Sequence, residues 1–353
     1  MGKIKDLVNG FLNFLKRKDI EFSDKRYLYD ALSSMALGLF SSLIIGLIIR
    51  TVGEQAAILF GDNLVFAFMA ETGGFIMSMM GPAVGAAVAF GLKAPPLVIF
   101  ASVATGGFGA LAGGPAGAFL AAAVGAEFGK AVSKETKVDI IVTPALTVIM
   151  GCVVAKLFGP ALDALLKEFG QLIMNATELK PFLMGITVSV IVGLLLTAPV
   201  SSAAICIMID LSGLAAGAAT VGCCAQMIGF AVISYKANGI GGSFAQGLGT
   251  SMLQVPNIIR KSWILVPPTL TAAILGPLST IVFGMTNIPA GAGMGSSGLV
   301  GQIGTFTSMG FTPFVLLSVL LLHFVLPAVL ALLINAAMKR LKKIEDKDYY
   351  LEV

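Results

Sequence analysis

The sequence predicts an all-α polytopic membrane protein with about 8–10 transmembrane helices, two re-entrant hairpins and an internal duplication. Of its 353 residues, 57% are apolar and only 12% are charged, and the mean hydropathy is +0.94. A soluble domain carries about 25% charged residues to cover its surface. This composition therefore excludes a water-soluble globular enzyme.

Residues 1–30 are predicted to form a cytoplasmic amphipathic segment. Apolar residues recur at helical spacing from Ile4 to Leu15, and lysine and arginine lie on the opposite side. This stripe is typical of a helix in the membrane interface, and a helix packed on the protein's own cytoplasmic face would show the same pattern. No apolar core of signal-peptide length is present. The basic residues up to Arg26 keep this end in the cytoplasm.

Ten apolar segments follow, and their arrangement predicts two membrane halves, 31–170 and 171–338, followed by a basic cytoplasmic tail, 339–353. The segments are 31–52, 63–91, 97–129, 138–160, 180–200, 202–235, 240–257, 262–284, 287–309 and 311–338. An amphipathic connector after residue 160 marks the boundary between the halves. With both ends inside, the number of true crossings must be even.

The basic loops predict which segments turn back inside the membrane. If the clusters at Lys93, 130–137 and 260–261 are all cytoplasmic, segment 97–129 begins and ends on one side. Its central Gly113, Gly114 and Pro115 break a helix readily. The same count makes 287–309 a second re-entrant element. Ten plain crossings would be simpler, but they violate the charge rule at 130–137.

Two pairs of segments indicate an internal duplication. Residues 37–51 match 184–198, and 138–147 match 262–271, with several identical glycine, serine and leucine positions. Duplicated halves are common in transporters, which hold the substrate between the halves near the midplane of the membrane.

The broken segment 287–309 contains the main candidate for a binding site. Closely spaced glycines and Pro289 make it a poor straight helix. Such backbone at membrane depth must be satisfied by protein, water or solute. Short amides and hydroxyls on this segment offer contacts for a neutral polyol, although close helix packing through small residues explains the same composition. The candidate solute-binding residues here are Asn287, Ser296, Ser297 and Gln302.

Four further polar residues inside apolar segments are candidates for solute binding. Glu71 can bind a hydroxyl or a coupling proton, or can serve as an ion-pair partner or helix cap. His323, the only histidine, can donate to a solute or simply bond to a neighbouring helix. Thr105 in the first hairpin and Gln246 in segment 240–257 complete the set.

Enzyme and cofactor signatures are missing. There is no Gly-x-Ser-x-Gly elbow, no Walker loop, no Cys-x-x-Cys pair and no second histidine for a metal site. We therefore expect no catalytic residues, no cofactor and no metal. The net charge of +4 reflects cytoplasmic loops and does not indicate a nucleic-acid partner.

The segments VDIIVTPALTVIMGCVVAKLFGP (138–160), NGIGGSFAQGLGTSMLQVPN (238–257) and GMTNIPAGAGMGSSGLVGQIG (284–304) resemble a known family. The chain is similar to stand-alone enzyme IIC-like membrane proteins of the phosphotransferase system, a family that includes a regulator of the clostridial toxin perfringolysin O. The resemblance implies a dimeric permease with two re-entrant hairpins and a substrate pocket in one half of each protomer. The chain lacks the Gly-Ile-Thr-Glu motif of glucose-type permeases and any fused phosphorylatable domain. Phosphorylation of a solute would therefore need separate cytoplasmic subunits.

The function expected from these features is transport. We expect a permease in a bacterial cell membrane, with both termini cytoplasmic, that carries a small polar solute such as a sugar or polyol by alternating access. Its partners are the solute, the lipid bilayer, a second copy of the chain and cytoplasmic phosphotransferase subunits. A secondary transporter of a small organic anion and a membrane regulatory protein without flux are the alternatives.

Overall fold

A computed structural model describes residues 2–198 and 201–351. Within these ranges every regular element is a helix, and the only β-type pairing is an isolated bridge. Among the residues that the structure describes, six helices are long and apolar enough to cross a membrane, or seven if one bent pair forms a single span, and one shorter apolar helix accompanies them. The predicted all-α polytopic membrane fold is confirmed.

The chain divides into two compact units, unit 1 up to Leu165 and unit 2 from Leu166 onward. The division falls inside one long helix. The internal duplication and the boundary expected at 170 stay predictions.

The described residues of unit 1 form five helices and most of a sixth. They are α1 (Gly2–Arg17), α2 (Lys25–Ile58), α3 (Leu64–Ser78), α4 (Met80–Gly91), α5 (Pro96–Val132) and α6 (Asp139–Leu179), which continues into unit 2. The side chain of Asn63 caps α3 by accepting from the Phe66 N–H at 3.0 Å. Helices α3 and α4 are bent by 49° at their junction, so the predicted segment 63–91 is a broken pair.

Helix α6 differs from the predicted apolar segment 138–160 with a separate connector. It runs without interruption past Pro160 to Leu179. A proline removes one backbone donor, and neighbouring groups in a membrane helix can satisfy the freed carbonyl without ending the helix. The amphipathic connector is therefore the second part of this helix.

Helix α5 is a hairpin, as the sequence predicts. The backbone leaves helical geometry at Gly113 and at Gly114, whose φ of 57° favours glycine. A Cβ at Gly109 would lie 2.5 Å from the Gly117 carbonyl oxygen. A Cβ at Gly129 would lie 2.8 Å from Val98. The arms 96–112 and 115–132 therefore pack antiparallel, and α5 begins and ends at the same end of unit 1.

A cluster of charged groups defines this end of unit 1. Arg26, which pairs with Asp19, donates to the Leu92 carbonyl at 3.1 Å. Lys130 donates to the same carbonyl at 3.0 Å and pairs with Glu127 at 3.0 Å. The start of α2, the loop after α4 and the end of α5 are thus held together.

The loop after α5 joins the same end. Arg17 pairs with Glu135 at 2.8 Å, and Lys18 also contacts this carboxylate and donates to the Ser133 carbonyl. The hydrogen bond from Lys18 and the charge of Arg17 lower the pKa of Glu135. The end of α1 therefore docks on the loop that carries Lys134. The side chains of residues 1–8 and 11, which form most of the predicted apolar stripe, lie outside the described residues.

The described residues of unit 2 form nine further helices, apart from short helical turns. They are α7 (Pro181–Thr197), α8 (Ser202–Met208), α9 (Gly213–Ile233), α10 (Tyr235–Phe244), α11 (Val255–Arg260), α12 (Ser262–Val282), α13 (Pro289–Ala292), α14 (Val300–Met309) and α15 (Pro313–Arg340). Helix α9 is buried along most of its length and packs on α7, α12 and α15. The predicted segment 202–235 is two helices, and 240–257 is a chain of short helical turns.

Candidate functional site

The segment 287–309 is a second hairpin in unit 2. An irregular stretch that includes the single-turn helix α13 leads into α14. The hydroxyls of Thr286 and Ser308 lie 2.8 Å apart, and the Thr286 N–H donates to Met309 Sδ at 3.2 Å. The two ends of the segment are therefore neighbours. Residues 290–296 are buried, so this is not a continuous helix that faces lipid.

Asn287 holds the hairpin together. Its Nδ2 donates to Thr220 Oγ1 at 2.7 Å, to the Gly301 carbonyl at 2.9 Å and to Thr305 Oγ1 at 3.1 Å. Its Oδ1 accepts from the Ile288 N–H at 2.8 Å. Its backbone N–H and carbonyl both hydrogen-bond to the backbone of Gly213, which forms an isolated β-bridge. In this conformation both donor hydrogens of the Asn287 amide are engaged with the protein.

Two predicted serines differ in their surroundings. Ser296 is buried and donates to the Gly247 carbonyl at 2.5 Å, which ties the hairpin to the segment after α10. Ser297 is half-buried and has no side-chain hydrogen bond among the described residues. Ser297 is the more accessible of the two.

Gln302 and His323 form a buried pair. Gln302 Nε2 lies 3.2 Å from His323 Nδ1 and 3.5 Å from Cys224 Sγ. Gln302 is 4% exposed and His323 is fully buried. Gln302 Oε1 and His323 Nε2 have no hydrogen-bond partner among the described residues. Because an unpaired buried polar atom costs about 1–3 kcal/mol, these two atoms mark a place where a polar ligand would be stabilised.

The geometry of the pair assigns a role to each free atom. In the amide orientation that the structure has, Gln302 Nε2 donates to Nδ1 of the imidazole, which places the ring proton on His323 Nε2. The pair therefore offers one acceptor, Gln302 Oε1, and one donor, His323 Nε2–H. A hydroxyl group is both donor and acceptor and matches this combination.

The remaining predicted residues have other surroundings. Glu71 is exposed on α3. Thr105 is buried in hairpin α5, where its hydroxyl donates to the Ser102 carbonyl at 3.0 Å. Gln246 is buried in unit 2 and donates to Ser234 Oγ at 2.8 Å and to the Gly242 carbonyl at 2.9 Å. Asn287, Ser296, Gln302 and His323 belong to unit 2, and Gln246 adjoins the Gly247 carbonyl that Ser296 contacts.

The structure joins Gln246, a candidate from the sequence, to a polar network with Gln254 and Asn257. Gln254 Nε2 donates to Gln246 Oε1 at 2.9 Å and to the Tyr349 carbonyl at 3.0 Å. Asn257 donates to Gln254 Oε1 at 2.9 Å and to the Tyr350 carbonyl at 2.9 Å. The four amide side chains between residues 238 and 257 were the sequence feature from which this network could have been predicted. It connects the C-terminal tail to the segment that contacts the second hairpin.

The tail is docked firmly on unit 2. Tyr349 is fully buried, and its hydroxyl donates to Asn335 Oδ1 at 2.8 Å. Burial raises the pKa of the Tyr349 hydroxyl above its usual value. Asp348 pairs with Lys261 at 2.7 Å. Burial alone would raise the pKa of Asp348, but the hydrogen bonds from Lys261 and from the Glu345 N–H hold it below its usual value.

Removing the tyrosine hydroxyl should weaken this docking. We expect Tyr349→Phe to lower the free energy of unfolding of unit 2 by about 1 kcal/mol, since one buried hydrogen bond is lost. Hydrogen exchange at residues 344–351 should accelerate. Tyr350→Phe is the matched control, because Tyr350 is 58% exposed. Equal effects of the two variants would contradict a docked tail.

A family comparison agrees with this architecture. The family model described as "Phosphotransferase system, EIIC" matches residues 29–351. The chain belongs to the enzyme IIC family of the phosphotransferase system. No curated protein gives a significant match. The family match does not extend to the perfringolysin O regulator, so that part of the resemblance stays a prediction.

Membership in the enzyme IIC family indicates the general role of the protein. Enzyme IIC proteins are the membrane-spanning transport components of the phosphotransferase system, and they work with its other components on sugar substrates. The apolar helices and the family together place this enzyme IIC protein in a cell membrane.

Proposed function

We propose that this enzyme IIC protein carries a neutral polyhydroxylated solute, a sugar or a polyol, and that Gln302 and His323 bind its hydroxyl groups. The proposal rests on two unpaired atoms, Gln302 Oε1 in the second hairpin and His323 Nε2 on α15, whose side chains contact each other at 3.2 Å through Gln302 Nε2 and His323 Nδ1. Hydroxyl groups of the solute donate to the first atom and accept from the second.

The charge of the surroundings supports a neutral solute. Every buried polar residue that the structure describes in unit 2 is an alcohol, an amide or His323, and none is a lysine, an arginine or a carboxylate. An anion in this interior would have no cation to offset its desolvation. This favours a sugar or polyol over an organic anion.

Burial of the pair supports alternating access. Both side chains are buried in this conformation, so the solute reaches them only when neighbouring elements move. The hairpin is bonded to α9 through Asn287 and to the segment after α10 through Ser296. We propose that movement at these two contacts opens the pair to a solute.

The cytoplasmic position of both termini belongs to the same proposal. So does the homodimer that the family resemblance implies. In unit 1, the ends of α1 and α5 and the loop after α4 lie together. In unit 2, Lys261 and the C-terminal tail lie together. Each cluster is rich in lysine and arginine, which accumulate on the cytoplasmic side of membrane proteins.

A binding experiment with matched variants tests the site. A thermal-shift panel of sugars, polyols and organic acids on the purified protein should identify a neutral ligand. Gln302→Leu and His323→Leu should then weaken its binding at least tenfold, which is about 1.4 kcal/mol. Each variant removes one unpaired atom and leaves another unpaired, so stability should change by about 1 kcal/mol or less.

Thr307→Val is the control for these variants. Thr307 is exposed on the same helix as Gln302, and its hydroxyl bonds only to its own helix. The Thr307→Val variant should bind the neutral ligand with the affinity of the unmodified protein. Ligand binding unchanged in Gln302→Leu would overturn the site, and selective binding of organic acids would indicate an anion carrier. Binding without flux in liposomes would indicate a regulatory protein.

A further inference from the structure

A cavity of about 550 Å³ lies at one end of unit 2, and neither Gln302 nor His323 lines it. It is bounded by the end of α9, by both ends of α10 and by the last turns of α15. Asp346 of the tail closes one side. This cavity has no role in the proposed transport site.

The wall of the cavity is apolar and continues onto the surface of α15. Ala231, Val232 and Leu332 contribute to it. Leu332 is 46% exposed, and the adjacent Leu333 is 62% exposed. Because α15 is a candidate membrane span, this exposed surface faces acyl chains. The cavity is therefore a recess in the lipid-facing side of unit 2.

Two lysines from different helices stand at the polar rim of the cavity. Lys339 lies at the end of the apolar span Pro313–Arg340, and Lys236 follows the span Gly213–Ile233 by three positions. Both ammonium groups therefore belong at the level of the lipid headgroups. Lys339 pairs with Asp346. Lys236 is exposed and has no ion-pair partner among the described residues.

We infer that this cavity binds an anionic phospholipid of the surrounding bilayer. Two lysines and one aspartate leave a single positive charge at the rim, which complements the single negative charge of a phosphatidylglycerol-type headgroup. Basic recesses between membrane helices recognise anionic headgroups in this way. The apolar wall and the exposed surface of α15 receive an acyl chain. A free phosphate ion would leave that wall uncovered, so the chemistry favours the whole lipid.

Lipid titration of the purified full-length protein in neutral detergent tests this assignment. Short-chain phosphatidylglycerol should raise the melting temperature at lower concentration than phosphatidylcholine of equal chain length. Lys236→Gln should weaken the phosphatidylglycerol interaction about fivefold, since one lysine near an anionic headgroup contributes about that factor. Inorganic phosphate at the same concentration should not compete.

Lys343→Gln is the matched control. It removes the same charge from the same end of unit 2, but Lys343 lies over the Trp263 ring and outside the cavity. Its phosphatidylglycerol affinity should stay close to that of the unmodified protein. Equal losses of phosphatidylglycerol affinity in the two variants would show that the lipid is attracted by the charge of the basic tail in general and not by this cavity. Equal affinity for the two lipids, or displacement by inorganic phosphate, would also overturn the proposal. None of these readouts depends on the transported solute.

Discussion

Replacing Asn287 by alanine should destabilise unit 2 by about 4 kcal/mol, because it removes the hydrogen bonds that hold the second hairpin. The Gly301 carbonyl and the Ile288 N–H would lose their bonds to this side chain. The Thr220 and Thr305 hydroxyls would lose the same donor, although each still donates to a backbone carbonyl. The free energy of unfolding, measured by titration with sodium dodecyl sulfate in mild detergent, checks this value.

Thr286→Ala is the control for the Asn287 variant. Thr286 directly precedes Asn287, but its hydroxyl bonds to Ser308 at an exposed position. We expect the stability to change by about 0.5 kcal/mol or less. Similar stability of Asn287→Ala and Thr286→Ala would mean that the amide of Asn287 is free for the solute, as its position in the sequence first suggested.

The hairpins were predictable because glycine and proline have local effects on the backbone. Gly113 and Gly114 leave helical geometry at the position where the sequence places a break. The basic loops likewise predict that 130–137 lies with the N-terminal segment, and the contacts of Glu135 place them together. The continuity of α6 was not predictable, since Gly159 and Pro160 are typical of a helix end, yet the helix continues past them to Leu179.

The sequence predicted individual residues of the candidate site but not which of them contact each other. Polar side chains in apolar segments single out Gln302 and His323, but their pairing depends on how α14 packs against α15. The sequence also gives Asn287 and Gln302 the same kind of role. The structure separates them, because the amide hydrogens of Asn287 are bonded to the protein and the amide oxygen of Gln302 is not.

Close packing of α7 against α9 gives the second large expected effect. A Cβ at Gly222 would lie 1.9 Å from the Ser189 carbonyl oxygen, well inside contact distance. Ser189 cannot retreat easily, because its hydroxyl donates to the Ala272 carbonyl of α12 at 2.9 Å. Interfaces between membrane helices are enriched in small residues, because these let the backbones approach closely.

We therefore expect Gly222→Ala to lower the free energy of unfolding by about 3 kcal/mol, the upper range for inserting a methyl group into a packed core. Helix α9 also supplies Thr220 and Cys224 to the second hairpin, so the displaced helix should weaken solute binding as well. Gly74→Ala is the control, since a Cβ at Gly74 meets no atom within 4 Å. That variant should be neutral or up to about 1 kcal/mol more stable, because alanine favours a helix over glycine. Equal stability of the two alanine variants would contradict the close backbone contact between α7 and α9, because it would mean that a methyl group fits between them.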